Sequence, residues 1–220
     1  MKAWAERVDS ELVLSLEHVE AELLEAVAAL GFEPERERHV RGFPAAAAHA
    51  DAAAARFPLV AEELVRQTAR LAPTPWEAAL ADLARRAGPR RWWLTGSAAL
   101  AVRGLDVAPR DLDVIVEADD AASVADSLAD ALVEPLAPGG WLGRWWTRAF
   151  LGARVEVVGG ANPELDRPEP TDFGPLAAGR LEVVPWRGLE LRVPPLELQL
   201  RAAERRGLDE RARLIRQALP

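Results

Sequence analysis

The chain has 220 residues, half of them apolar and 28% charged, a composition that supports a packed core in one or two domains and argues against global disorder. Its 27 Lys+Arg against 35 Asp+Glu give a net charge of −8, which speaks against a broadly basic coat for nucleic acid but leaves a local basic groove open. Cysteine is absent and the only histidines are His18, His39 and His49, so disulfide frameworks and thiolate metal sites are excluded and a His-rich zinc site is disfavoured. No apolar run reaches membrane-spanning length and the first residues carry no apolar leader core, so the expectation is a soluble, cytoplasmic chain without membrane contact.

Leu12, Leu16, Val19, Leu23, Val27 and Leu30 recur at three- and four-residue steps between Ser10 and Gly31, which predicts a helix over 10–31. Residues 1–34 carry two basic and eight acidic side chains, so this region has an acidic outer face. The Ala-rich stretch 45–56 and the amphipathic stretch 58–71 predict two further helices. Thr74-Pro75-Trp76-Glu77 is a capping box with Pro at the first helical position and opens a helix to about Ala87.

Beyond Pro89 the pattern changes. Arg91–Thr95 predicts a strand, Gly96-Ser97 the turn into an apolar helix through about Arg103, and Asp111–Glu117 a second strand. A helix over 119–132 follows, then a hairpin of 141–150 and 153–158 about Gly152, and a Pro-rich acidic loop over 162–175. A second hairpin about Arg187-Gly188 and two closing helices, 195–206 and 208–218, complete the chain. Strands interleaved with helices, some joined as hairpins, predict an α/β (α+β) fold with a mixed sheet and not a doubly wound parallel one.

Three features carry chemistry. Asp111 and Asp113 are two apart on a strand, so both carboxylates share one face, with Leu112, Val114 and Val116 on the other. Such a pair either holds a hard cation such as Mg²⁺ or stands solvated on an exposed face. Gly96-Ser97, between strand and helix, is either an anion-binding turn or an ordinary N-cap. Glu156, among valines in Arg154–Val158, needs a partner, a metal or a solvent-facing side.

Taken together, strand, Gly-Ser, helix, Asp-x-Asp strand and a later strand with a third carboxylate resemble the DNA polymerase β-like nucleotidyltransferase superfamily. The resemblance covers 75–193, with 194–220 similar to the family's helical appendix and 1–74 matching nothing in it. It divides the chain into an N-terminal helical region (1–74), a nucleotidyltransferase-like core (75–193) and C-terminal helices (194–220). Glu156 is a departure, since Asp is common there. The resemblance implies transfer of an NMP from an NTP, ATP first among them, to an acceptor hydroxyl with two Mg²⁺ ions. Asp111, Asp113 and Glu156 would be the catalytic metal ligands, and Gly96, Ser97 and Arg110 would contact the phosphates. The acceptor stays open among a small molecule, an RNA end and a protein side chain. The competing expectation is a catalytically silent binding module, or one of toxin–antitoxin type, with a protein partner or a second copy on the N-terminal helices.

The tryptophans add one question. Trp92/Trp93 and Trp145/Trp146 are adjacent on predicted strands, so each pair splits across the sheet. They serve either as core bulk in a chain with no Tyr and five Phe or, where exposed, as a stacking surface for a base.

Overall fold

In the computed structural model, which describes residues 1–219, the segment 11–17 is a strand and not the start of a helix, and this difference reorganises the N-terminal third. Strands β1 (Lys2–Val8) and β2 (Glu11–Glu17) form a hairpin about Asp9 and Ser10. Leu12, Leu14 and Leu16 are buried on one face of β2, the period of two that a pleated strand imposes. Leu12 and Leu16 fit a helical spacing equally well; Leu14 between them and the distant strand partner settle the choice. Only the end of the expected helix survives, as α1 (Leu24–Ala29), with Gly31 at φ +83° closing it. Strands β3 (Glu33–Glu35) and β4 (Arg38–Pro44) complete an antiparallel sheet of order β1-β2-β4-β3. The N-terminal region is therefore a sheet crossed by helices and not a helical layer, and the expected helical docking face over 10–31 does not exist.

One long helix, α2 (Ala50–Thr68), replaces the two expected over 45–71 and runs through Pro58. Proline removes one helical N–H; here the buried stripe Ala53, Phe57, Val60, Ala61 and Leu64 holds the helix together. Helix α3 (Trp76–Ala87) follows as expected. The second sheet begins with β5 (Trp92–Thr95), which passes directly into α4 (Gly96–Ala101), and continues with β6 (Leu112–Val116) and α5 (Ala121–Ser127). The helix expected over 119–132 ends as α5 at Ser127, and residues 132–138, where no strand is expected from the sequence, form β7 (Leu132–Pro138). Pro135 and Pro138 argue against a strand in the sequence, yet β7 is an edge strand, where a missing N–H is tolerated.

The hairpin of β8 (Gly143–Phe150) and β9 (Arg154–Ala161) closes a five-stranded sheet of order β5-β6-β9-β8-β7. Only β6 and β9 are parallel, so the sheet is mixed and flanked by helices. A loop with the short α6 (Pro175–Ala178) leads to the hairpin β10 (Glu182–Trp186) and β11 (Leu189–Val193), then to α7 (Leu196–Arg205) and α8 (Asp209–Ala218).

The two faces of the sheet have different duties. Leu94, Leu112, Val114, Val116, Val155 and Val157 pack with α3, α5 and β11 in the larger core. On the other face Trp93, Ile115 and Val158 lie under Phe173 and Ala178 of the α6 loop. Trp92 and Trp93 do split across the sheet, and both are buried. The N-terminal core of β2, α1 and α2 reaches Val133, Ala137 and Phe150 of the second sheet, so the first sheet docks beside its β7–β8 edge.

Candidate functional site

Strand register places one polar residue per strand in a row across the whole second sheet. Thr95 pairs with Asp113, Asp113 with Glu156, Glu156 with Arg148, and Arg148 with Glu134. Paired residues share a face, so the Asp113 and Glu156 carboxylates, 43 positions apart, lie side by side. Asp111, just before β6, extends the same face by one step.

Glu134 is fully buried and Asp113 half-buried. Burial first, then repulsion from Asp111 and Glu156, pushes the Asp113 carboxyl up from the ordinary 3.8 to about 8. Its room comes from Gly96, which lies at φ +64° at the start of α4. A β-carbon at position 96 would overlap Asp113 Oδ2 and approach its Cγ to 3.3 Å. On the outer side of the turn, Asp172 is buried and accepts a 2.8 Å hydrogen bond from the Thr95 hydroxyl. Burial raises the Asp172 carboxyl too, opposed by the Thr95 hydroxyl.

Arginines, invisible as partners in the sequence, balance the other carboxylates. Arg154 pairs with Asp111 and lies 3.5 Å from Glu156 through Nε. Arg148 donates to Glu156 Oε1 from Nη2 at 2.9 Å and from Nε at 3.1 Å, and also pairs with Glu134. Arg41 of β4 reaches Glu134 at 3.0 Å, and Arg148 donates to the Leu30 carbonyl at 3.1 Å. Through these contacts the row joins the N-terminal sheet to the acidic centre. A search for helical and strand periodicity misses Arg41, Glu134 and Arg148, because their signal is cross-strand register. Arg154 had a signal, its position two residues before Glu156 on the same strand face.

Asp111, Asp113 and Glu156 are thus brought together, but unequally. Among the described residues no three carboxylates or histidines converge as a ready metal cage, and Glu156 Oε1 is held by Arg148. Asp111 and Asp113 fit the lesser demand of Mg²⁺, which is commonly held by one or two carboxylates with phosphate oxygens and water filling the remaining positions. Burial first, and then the charges of Asp111 and Glu156, raise the Asp113 carboxyl, and a cation bound beside it would favour its ionised form.

Ser97 is buried at the wall of an open cleft of about 780 Å³ that also takes in Thr74, Trp76 and Arg110. Sequence reasoning proposed Ser97 and Arg110; it missed Arg70 and Arg211, which line the same cleft from α2's end and from α8.

No family model matches this sequence, and no curated protein matches it. Among solved structures the chain is similar to a candidate nucleotidyltransferase from Thermotoga maritima, with a TM-score of 0.50 and 19% identity over 64% of this chain and 91% of that one. At that identity the likeness is one of fold: a nucleotidyltransferase-type mixed sheet flanked by helices.

Proposed function

We propose that the chain is a nucleotidyltransferase that moves an NMP from an NTP to an acceptor hydroxyl and releases pyrophosphate. The observation that supports this reading is the pairing of Asp113 with Glu156 on one sheet face, with Asp111 one step before Asp113 and Gly96 against the Asp113 carboxylate, in a fold shared with a candidate nucleotidyltransferase. In the reaction the acceptor oxygen bonds to the α-phosphorus as the bond to the β-phosphate bridging oxygen breaks. Asp111 and Asp113 would hold Mg²⁺, which when bound neutralises charge on the phosphates. Ser97 and the Gly96 turn would seat the β- and γ-phosphates, with Arg110 beside them. Glu156 is the carboxylate offered to the acceptor's proton, oriented by Arg148. A dependence on two ions, ATP as the donor and the acceptor's identity belong to the same proposal.

One observation favours a second reading, a silent nucleotide-binding module. Arg154 pairs with Asp111 and stands beside Glu156, a resident counter-charge that balances the centre without metal. Incubation with each labelled NTP, Mg²⁺ and a panel of small-molecule, RNA and protein acceptors separates the two. Pyrophosphate release that vanishes in Asp111→Asn/Asp113→Asn supports transfer; nucleotide binding with no release on any acceptor supports the module.

A further inference from the structure

Three arginines from distant parts of the chain meet at the cleft beside Ser97. Arg70 follows α2, Arg110 precedes β6, and Arg211 lies in the first turn of α8; all three line the same space of about 780 Å³. None of them has an ion-pair or hydrogen-bond partner for its guanidinium among the described residues. Arg36, Arg66 and Arg180 are unpaired in the same way, whereas Arg86, Arg91, Arg103, Arg148 and Arg154 are each held by a carboxylate; what distinguishes Arg70, Arg110 and Arg211 is that they line one cleft. They are also close enough for Arg70 and Arg211 to oppose the charge on Arg110, whose guanidinium is lowered by burial first and then by these two, against the pull of Asp111. Carboxylates are present on the same walls, Asp106, Asp209 and Glu210, with Glu210 turned to Arg213 at 3.9 Å. They do not engage the three arginines.

The backbone at Arg70 closes α2. It holds φ +64° at the end of α2, with Leu71 N–H donating to the Arg66 carbonyl and Arg70 N–H to Gln67. This is the left-handed position after a helix that glycine normally fills. An arginine there is strained by about 1 kcal/mol or more, as Arg36 and Arg187 are at their own turns.

We propose that Arg70, Arg110 and Arg211 form a polyphosphate clamp, so that the triphosphate of the nucleotide lies in this cleft against residues from the N-terminal region and the C-terminal helix as well as the core. The proposal rests on the nucleotidyltransferase reading for the identity of the ligand and extends it to two residues outside the motif region. Guanidinium forks match phosphate oxygens in shape and charge, and a cleft of this volume is in the range that holds a nucleotide-sized ligand. Ser97 on the same wall makes a triphosphate the fitting occupant rather than the backbone of a polynucleotide lying across the surface.

The probe is inorganic tripolyphosphate, titrated calorimetrically into the full chain with chelator present so that no metal bridges. Wild type should bind it, and Arg70→Ala, Arg110→Ala and Arg211→Ala should each weaken binding by about 10-fold or more, the size of one lost charged hydrogen bond. Arg167→Ala, on an exposed arginine outside the cleft, should leave it unchanged. Arg70→Gly should weaken binding while holding or raising the melting temperature, which a purely structural Arg70 would not do. Unaltered binding in the three cleft variants, no binding by wild type, or preference for an oligonucleotide over tripolyphosphate would overturn the clamp. If tripolyphosphate binding needs these arginines while no NTP gives pyrophosphate with any acceptor, the clamp stands and the transferase reading fails. If NMP transfer proceeds equally in all three variants, the transferase reading stands and the clamp fails.

Discussion

The Asp113 carboxylate occupies the space that any side chain on residue 96 would need, so the glycine of the Gly-Ser turn and the second aspartate are one structural unit. Their β5–β6 pairing puts Thr95, the residue before the glycine, opposite Asp113. Gly96 is thereby required twice, once for φ +64° and once for the acid.

Gly96→Ala should therefore lose activity as well as stability. The strained backbone should cost about 1–2 kcal/mol, and the displaced carboxylate should lower nucleotidyl transfer by about 100-fold. Gly188→Ala is the comparison: φ is +80°, but nothing lies within 4 Å of the new β-carbon. It should lower the melting temperature and leave transfer intact. Equal loss of activity in both variants would disconnect Gly96 from Asp113.

Asp113 also gives the fold a pH dependence whose sign can be worked out. In the unfolded chain its carboxyl titrates near 3.8, and in the folded chain near 8, because burial and the neighbouring Asp111 and Glu156 disfavour its charge. The folded state thus binds this proton more tightly, and the associated stability is complete below about pH 4 and is lost as pH rises through about 8. Melting curves between pH 5 and 9 should show wild type falling relative to Asp113→Asn, which carries no such proton. Parallel curves for the two proteins would show that Asp113 titrates in the ordinary carboxylate range.

Much of this site was legible before the fold was known, and the reason is local. Gly96-Ser97, Asp111-x-Asp113 and Glu156 belong to strands and a turn whose periodicity lies within ten residues, and register then brings Asp113 and Glu156 together. What stayed hidden is non-local. Leu12, Leu14 and Leu16 satisfy a strand, but the partners that make it one are β1 and β4, the latter more than twenty residues away. Glu134 lay between the expected helix over 119–132 and the next hairpin, in a stretch given no element, because Pro135 and Pro138 mask an edge strand. The arginines of the cleft come from three segments that only tertiary packing joins.

Arg154 should compete with divalent metal. It pairs with Asp111 and stands beside Glu156, so a cation entering there meets a guanidinium already in place. Arg154→Ala should bind Mn²⁺ about 10-fold more tightly than wild type, the scale of one charged hydrogen bond released. Loss of the free-ion paramagnetic resonance signal on titration reads this directly. The variant should also melt lower without metal and recover part of the difference with Mg²⁺. Weaker Mn²⁺ binding in Arg154→Ala would mean that Arg154 supports the metal site instead of filling it.

Arg148 should be the least replaceable member of the polar row. Its side chain and that of Glu134 are 4% and 3% exposed, and it also holds Glu156 and the Leu30 carbonyl. Arg148→Met leaves two carboxylates without that partner, and removing one side of a buried pair costs about 3–5 kcal/mol. Arg41 still reaches Glu134 at 3.0 Å, which places the expected loss toward the lower end. Arg148→Met/Glu134→Gln removes the orphaned charge along with its partner, so urea unfolding should show the double variant more stable than Arg148→Met alone. A coupling energy near zero in that cycle would mean the two side chains act independently. Because the Leu30 bond is one of the row's links to the N-terminal region, with Arg41 holding both Glu134 and the Leu30 carbonyl, Arg148→Met should speed proteolysis within residues 18–37, and Arg148→Met/Arg41→Met should speed it further.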